Sequence, residues 1–193
     1  NTAVGRNALT ANTTGSQNVA VGMEAGKSNT TGFGSTLVGY QAGYSATAGS
    51  GNDSNNTYIG RKAGYTTTTA ANNTAVGYDS LLANTTGTRN VAVGALALDA
   101  NTTASNNNAV GYSALGANTT GQGNQAFGDS ALAANTTAGN NTAMGNFALA
   151  ANTTGTQNTA VGAEALDANT TGNQNSGFGL SALGVNTTGS DNA

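Results

Sequence analysis

Ser130 is the residue of this chain that most invites a catalytic interpretation, because it follows an aspartate in the stretch "GDSAL", residues 128–132. A serine hydroxyl becomes a nucleophile when a neighbouring base, most often histidine, removes its proton. The chain contains no histidine, and the same five positions elsewhere read "GYSAL" and "GLSAL". The eight carboxylates recur at no shared spacing that would pair them as acid and base. The sequence therefore predicts no catalytic residue and no enzyme.

A metal or cofactor site is equally weakly supported. The run from Asp53 to Thr57 begins like a calcium loop, but it lacks the glycine and the closing glutamate that such a loop requires. A solvated turn is the simpler interpretation. Without cysteine there is no thiolate site and no disulfide framework. We expect neither metal nor cofactor.

Aromatic and basic residues gather in one part of the chain. Four of the six tyrosines and two of the five basic residues lie between residues 40 and 65. One interpretation is that tyrosine fills space that leucine occupies elsewhere. The other is a patch for a cell-surface glycan or protein receptor, because exposed tyrosine beside arginine or lysine suits such partners. The candidate patch consists of Tyr40, Tyr44, Tyr58, Arg61, Lys62 and Tyr65.

Nine asparagines begin N-x-T sequences, which are acceptors for N-linked glycans in secreted proteins. Stacked hydrogen-bonded ladders of Asn and Thr at a bend are the competing explanation. Threonine arrays can also bind ice, but ice binding needs threonines two apart on one face, whereas Thr13 and Thr14 are adjacent. The nine are Asn12, Asn29, Asn84, Asn101, Asn118, Asn135, Asn152, Asn169 and Asn186.

These residues recur because the whole chain is a repeat. The glycine that closes each "AVG"-like unit returns every 17 residues, except for one step of 21 between Gly39 and Gly60. We number positions within each unit from its first residue, so that Asn1 is position 1. Position 4 is always apolar, position 9 is leucine in eight of eleven units, and positions 12–14 read Asn-Thr-Thr in nine of eleven. A disordered tract would not keep this pattern.

One unit has the composition of a single solenoid turn. "TAVG" is a short β-prone run, and Asn-Thr-Thr-Gly is typical of a turn. A unit of 17 residues is too short for a helix pair, and the chain has no proline to interrupt a ladder. We predict an all-β fold, a parallel β-solenoid or β-roll of eleven coils, forming a single repeat array over residues 1–193 with a four-residue insertion in the unit spanning 35–55. The insertion should bulge outward as a loop beside the tyrosines.

We expect positions 4 and 9 to point inward and to stack at about 4.8 Å, so that eleven units rise about 50 Å. Substitution of Val93 by aspartate should then unfold coils. Asn-Thr-Thr bends should lie outermost, where water can reach them. The predicted core stack at position 4 is Val4, Val21, Val38, Ile59, Val76, Val93, Val110, Phe127, Met144, Val161 and Phe178.

Composition excludes several classes of partner. Only 7% of residues are charged and the net charge is −3, which is too small to attract nucleic acid. No apolar run approaches the ~18 residues of a membrane span, so we expect no membrane insertion in this segment. Few large apolar side chains are available to each coil, so burial against neighbouring chains would stabilise it. We expect a homotrimer.

The motifs "NVAVG", at residues 18–22 and 90–94, and "NTAVG" resemble the head repeats of YadA-type trimeric autotransporter adhesins. The longer "NTAVGxxALxANTTG" form is similar to phage tail-fibre repeats that precede an S74-type chaperone domain. The resemblance covers all eleven units, and implies a trimeric, extracellular fibre on a cell or virion surface. We expect a segment of a longer fibre that spaces or presents an attachment function. The alternative is a direct surface binder, an ice- or glycan-binding solenoid.

Overall fold

The computed structural model describes residues 1–47 and 54–193 and contains eleven short β-strands, one for each repeat. All are three residues long and occupy positions 2–4 of their units. They form one sheet in sequence order. The strands are β1 (Thr2–Val4), β2 (Val19–Val21), β3 (Thr36–Val38), β4 (Thr57–Ile59), β5 (Thr74–Val76), β6 (Val91–Val93), β7 (Asn108–Val110), β8 (Gln125–Phe127), β9 (Thr142–Met144), β10 (Thr159–Val161) and β11 (Ser176–Phe178).

Equivalent positions of successive units lie directly above one another. Every strand is parallel to its neighbour, and Val76 pairs with Val93, which pairs with Val110. The stacking confirms the parallel β-solenoid. Register survives the longer unit, since the backbone N–H of Thr47 donates to the carbonyl of Thr68 over 3.0 Å. The outward loop is predicted within residues 45–55, of which residues 48–53 lie outside the described residues.

The prediction that position 4 points inward is wrong. The buried strand residue is at position 3, where Ala75, Ala92 and Ala109 are all 0% exposed. Because neighbouring strand residues point to opposite faces, position 4 must then point outward. Val4, Ile59, Met144 and Phe178 are accordingly exposed, and Val93 is partly exposed. The sequence interpretation assigned position 4 to the core because its side chains are larger than the alanines at position 3.

The opposite wall of the core comes from positions 8 and 9. The alanines at position 8 and the leucines at position 9 are buried from Ala25 to Leu166, which confirms the inward direction of position 9. Both Leu9 and Leu98 have positive φ, at 49° and 51°, as do the position-9 leucines generally. Such a conformation is unfavourable for leucine, so burial of the side chain must offset its cost.

Three coils lack the position-9 leucine, and in two of them the residue at position 3 supplies the missing volume. Leu37 and Tyr58 replace alanine at position 3, while Gly43 and Gly64 replace leucine at position 9. A Cβ atom on Gly64 would lie 2.5 Å from Tyr58 Cε2. The core volume is therefore conserved by exchange between facing positions.

The chain bends at position 5 in every coil, and this bend requires glycine. Gly94 has φ of +134°, and a Cβ there would lie 2.3 Å from the carbonyl oxygen of Gly111. Any other residue would be strained and would also push adjacent coils apart.

Two columns of buried asparagine close each coil. At position 1, the backbone N–H of Asn90 donates to Asn73 Oδ1 over 2.8 Å. At position 12, Asn101 Nδ2 donates to Asn84 Oδ1 over 2.9 Å. Both Asn90 Nδ2 and Asn101 Nδ2 donate to the carbonyl of Ala104, over 2.8 and 3.1 Å. Each coil is thus hydrogen-bonded to its neighbour, and its positions 1 and 12 are joined through the carbonyl at position 15.

The prediction that the Asn-Thr-Thr bend is exposed to water is therefore wrong for the asparagine and confirmed for the second threonine. Asn101 is 0% exposed, whereas Thr103 is exposed. Thr102 Oγ1 donates to the carbonyl of Thr119 over 3.1 Å. Of the nine N-x-T asparagines, seven are buried and unable to carry a glycan in the folded chain: Asn29, Asn84, Asn101, Asn118, Asn135, Asn152 and Asn169.

Candidate functional site

One regular surface is the outer side of the β-sheet, which we call the sheet face and define as the side chains at positions 2 and 4. It is about 10 Å wide and about 50 Å long, given three residues per strand and ten inter-strand steps. Neither position carries a charge in any unit. Position 4 contributes an apolar column, and position 2 contributes Thr2, Val19, Thr36, Thr57, Thr74, Val91, Asn108, Gln125, Thr142, Thr159 and Ser176.

Tyr58 does not belong to the candidate binding patch. Its side chain is 0% exposed and lies in the core, where its hydroxyl is 3.1 Å from Thr67 Oγ1. Burial raises the pKa of the Tyr58 phenol well above its ordinary value. The space-filling interpretation is therefore correct for this tyrosine.

The other patch residues do lie together on the outside, beyond the bend at position 5. Tyr44 and Tyr65 occupy position 10 of consecutive coils, and their rings stack with centroids 5.1 Å apart. Lys27 Nζ lies 5.3 Å from the Tyr44 centroid, and Lys62 Nζ lies 5.2 Å from the Tyr65 centroid. Coil stacking at about 4.8 Å produces the Tyr44–Tyr65 and Lys27–Tyr44 contacts, because it places long side chains of adjacent coils in van der Waals reach. Lys62 and Tyr65 lie three residues apart in one coil.

A second column at position 6 runs beside the first. It contains Tyr40, Arg61 and Tyr78 in consecutive coils, with Arg61 Cζ 4.9 Å from the Tyr78 centroid. Tyr40 and Tyr78 are 39% and 49% exposed. We call the two columns, together with Lys62 at position 7, the cation–tyrosine strip. It consists of Lys27, Tyr40, Tyr44, Arg61, Lys62, Tyr65 and Tyr78.

Two ion pairs hold cations of the strip in place. Lys27 Nζ is 2.8 Å from Glu24 Oε1, and Arg61 Nη1 is 3.2 Å from Asp79 Oδ1. Hydrogen bonds from Lys27 and Gln41 lower the pKa of the Glu24 carboxyl, and Glu24 in turn raises the pKa of Lys27. The strip is therefore an ordered surface of fixed charge at neutral pH.

Catalytic and metal-binding arrangements are not found in the described ranges. Ser130 Oγ donates a hydrogen bond to Oδ1 of the adjacent Asp129 over 3.1 Å at the surface. Within residues 1–47 and 54–193, no group of three or more potential metal ligands comes together and no pocket is detected. No helix in the same part of the chain has the length and apolar character needed to cross a membrane.

Sequence reasoning missed the sheet face and two residues of the strip. The sheet face was missed because its apolar column was assigned to the core. Lys27 and Tyr78 were missed because they lie one unit away from the cluster along the chain. The repeat itself carried the signal, since Lys27 shares position 10 with Tyr44, and Tyr78 shares position 6 with Arg61.

Comparison of the chain with protein-family models, curated proteins and solved structures gives no match.

Proposed function

We propose that this chain is a structural segment of a homotrimeric fibre on a cell or virion surface, where it spaces or presents an attachment function. The observation that supports the proposal is the sheet face. It is a contiguous, uncharged face of about 500 Å² with an apolar column along the full array, and patches of this size, about 300–600 Å², are often functional.

A second copy of the same chain is the partner that best fits this face. The apolar side chains recur at every coil, so a partner must present apolar groups with the same axial repeat. An identical chain does so without adjustment. Three copies around one axis would bury the position-4 column of each and leave positions 6, 7 and 10 outside. The resemblance of the "NVAVG" units to trimeric adhesin heads also favours three chains per fibre.

The mass of the protein in solution tests the assembly. Multi-angle light scattering at micromolar concentration should give three times the chain mass of 18.6 kDa. Since Val93 faces outward rather than into the core, Val93→Asp should not unfold coils as an inward position would require. It should yield a folded monomer, because in the trimer three carboxylates would be buried without partners. Thr103→Asp adds the same charge to the same coil at an exposed position and should leave the trimer intact. A folded wild-type monomer would refute the proposal.

A direct binder of ice is the second candidate. The specific observation is that positions 2 and 4 lie two apart on the same side of one uncharged sheet, with threonine at position 2 in six of the eleven units. This geometry would be available only if the sheet face were free in solution. A folded monomer that inhibits ice recrystallisation, and loses that activity in Thr74→Tyr, would support this candidate over the fibre.

A further inference from the structure

The outward side formed by positions 6, 7 and 10 changes sign along the array. In coils 1–5 these positions carry Arg6, Lys27, Arg61 and Lys62 against Glu24 and Asp79, which is four positive and two negative charges, or +2. In coils 6–11 they carry four acids and no base, or −4: Asp99, Asp129, Glu164 and Asp167. The first coils therefore form a basic end and the rest an acidic one.

Composition changes at a neighbouring position in the same coils. Position 11 carries a hydroxyl only in Ser28, Ser45 and Thr66, and is alanine or valine in the other eight units. These hydroxyls lie next in sequence to Lys27, Tyr44 and Tyr65. Cations, phenols and hydroxyls thus occur in the same few coils of an otherwise plain repeat. Thr66 Oγ1 already donates to the carbonyl of Leu82 over 2.8 Å, so towards a ligand it can only accept.

The tyrosine ring faces within this cluster are already occupied. Tyr44 is covered by Tyr65 on one side and approached by Lys27. A sugar ring cannot stack flat on these faces, so recognition must use the cations, the phenol hydroxyls at the ring edges and the position-11 hydroxyls. The cation–π contacts hold the ammonium groups in place before a ligand arrives, which reduces the entropy lost on binding.

We propose that the cation–tyrosine strip binds an acidic polysaccharide. Uronate carboxylates would accept from Lys62 and from the N–H groups of Lys27 and Arg61 that Glu24 and Asp79 leave free. Sugar hydroxyls would bond to the phenols and the position-11 side chains. From Arg6 to Lys62 the basic residues span three coil steps, or about 14 Å along the axis, so an extended chain lying along the solenoid meets several of them. Nucleic acid fits less well, since its dense charge would continue over the acidic coils.

This inference deepens the attachment role proposed above by naming a ligand class. The strip is complete within one chain, however, and does not require a trimer. In a trimer, three strips would bind one polymer with increased avidity.

Binding of polygalacturonate oligosaccharides to the full chain, measured by calorimetry in low salt, tests the proposal. Wild type should bind, and the fully methyl-esterified oligosaccharide, which has the same sugars without charge, should not. The double variant Lys27→Gln, Lys62→Gln should bind about tenfold more weakly. Arg89→Gln removes a cation from position 17, outside the strip, and should bind as wild type does.

Four results would overturn the inference: no binding by folded wild type, equal binding of the methyl ester, equal weakening by Arg89→Gln, or tighter binding of single-stranded DNA than of the polyuronate. Light scattering of the same samples separates this outcome from that of the fibre proposal. A monomer that binds would refute the trimer alone, and a trimer that does not bind would refute the polysaccharide alone.

Discussion

Removal of one amide from the position-12 column should destabilise the coils around it strongly. Asn101 donates to Asn84 Oδ1 and to the Ala104 carbonyl, and its own Oδ1 accepts from Asn118 Nδ2 over 3.1 Å. Asn101→Ala removes all three bonds, which contribute about 1 kcal/mol each. It also leaves the buried Asn84 Oδ1 without its donor, and such a group costs about 1–3 kcal/mol. We expect a total loss of about 4–6 kcal/mol in the free energy of unfolding.

Hydrogen exchange is the suitable assay, because stacked repeats can unfold locally and a single global free energy is then ill-defined. The amides of Leu98 and Leu115, which donate to carbonyls of the next coil, should lose protection by the amount calculated. Thr103→Ala, two residues away and exposed, should change protection by no more than about 0.5 kcal/mol. Equal behaviour of the two variants would show that the asparagine ladder contributes little, and the reasoning would be wrong.

Three further predictions follow from the core, one half-buried carboxylate and the strip. Tyr58→Ala should lower the free energy of unfolding by about 3–5 kcal/mol, and Gly64→Leu should also lower it. The double variant recreates the Ala–Leu pair of an ordinary coil and should recover most of the lost stability in thermal denaturation. No recovery would contradict the volume exchange between positions 3 and 9. Burial raises the pKa of Asp99, so its stabilising contribution is present below the ordinary Asp pKa of about 3.9 and is lost as pH rises through the folded value. Asp99→Asn should therefore gain stability relative to wild type as the pH rises from below the ordinary Asp pKa through the raised folded value, and a pH-independent difference in denaturant midpoint would refute this. Tyr44→Ala with Tyr65→Ala should leave the solenoid folded by circular dichroism but weaken polyuronate binding, whereas lost stability with unchanged binding would leave these rings a packing role only.

The period of the repeat was enough to predict the solenoid, the register and the inward leucines. It was not enough to choose which strand residue faces the core. Val93 is larger and more apolar than Ala92, so hydrophobicity favours the wrong one. The sequence did contain a sign that position 3 is internal. In two of the three units where position 9 is glycine, position 3 holds a large residue, Leu37 or Tyr58, in place of alanine.

The asparagines were misplaced for a different reason. A single Asn is polar and is ordinarily exposed, and a sequence gives no direct sign that its amide is satisfied. In a stack, each amide meets an identical amide one coil away, so donors and acceptors match by translation alone. Burial of Asn84 and Asn101 therefore follows from the assembly of coils rather than from the residue type.

The exchange between positions 3 and 9 also decides how such a chain can change length. Coils 5–10 all combine a small position-3 residue with leucine at position 9, so duplication or deletion of 17 codons there joins coils that already fit one another. Coils 2–4 are not interchangeable in this way, because the Tyr58 ring needs glycine at position 9 in its own coil and in the one before. Recombination could therefore lengthen the rod in steps of about 4.8 Å within its later coils, while the coils that carry the strip would have to be inherited as a block.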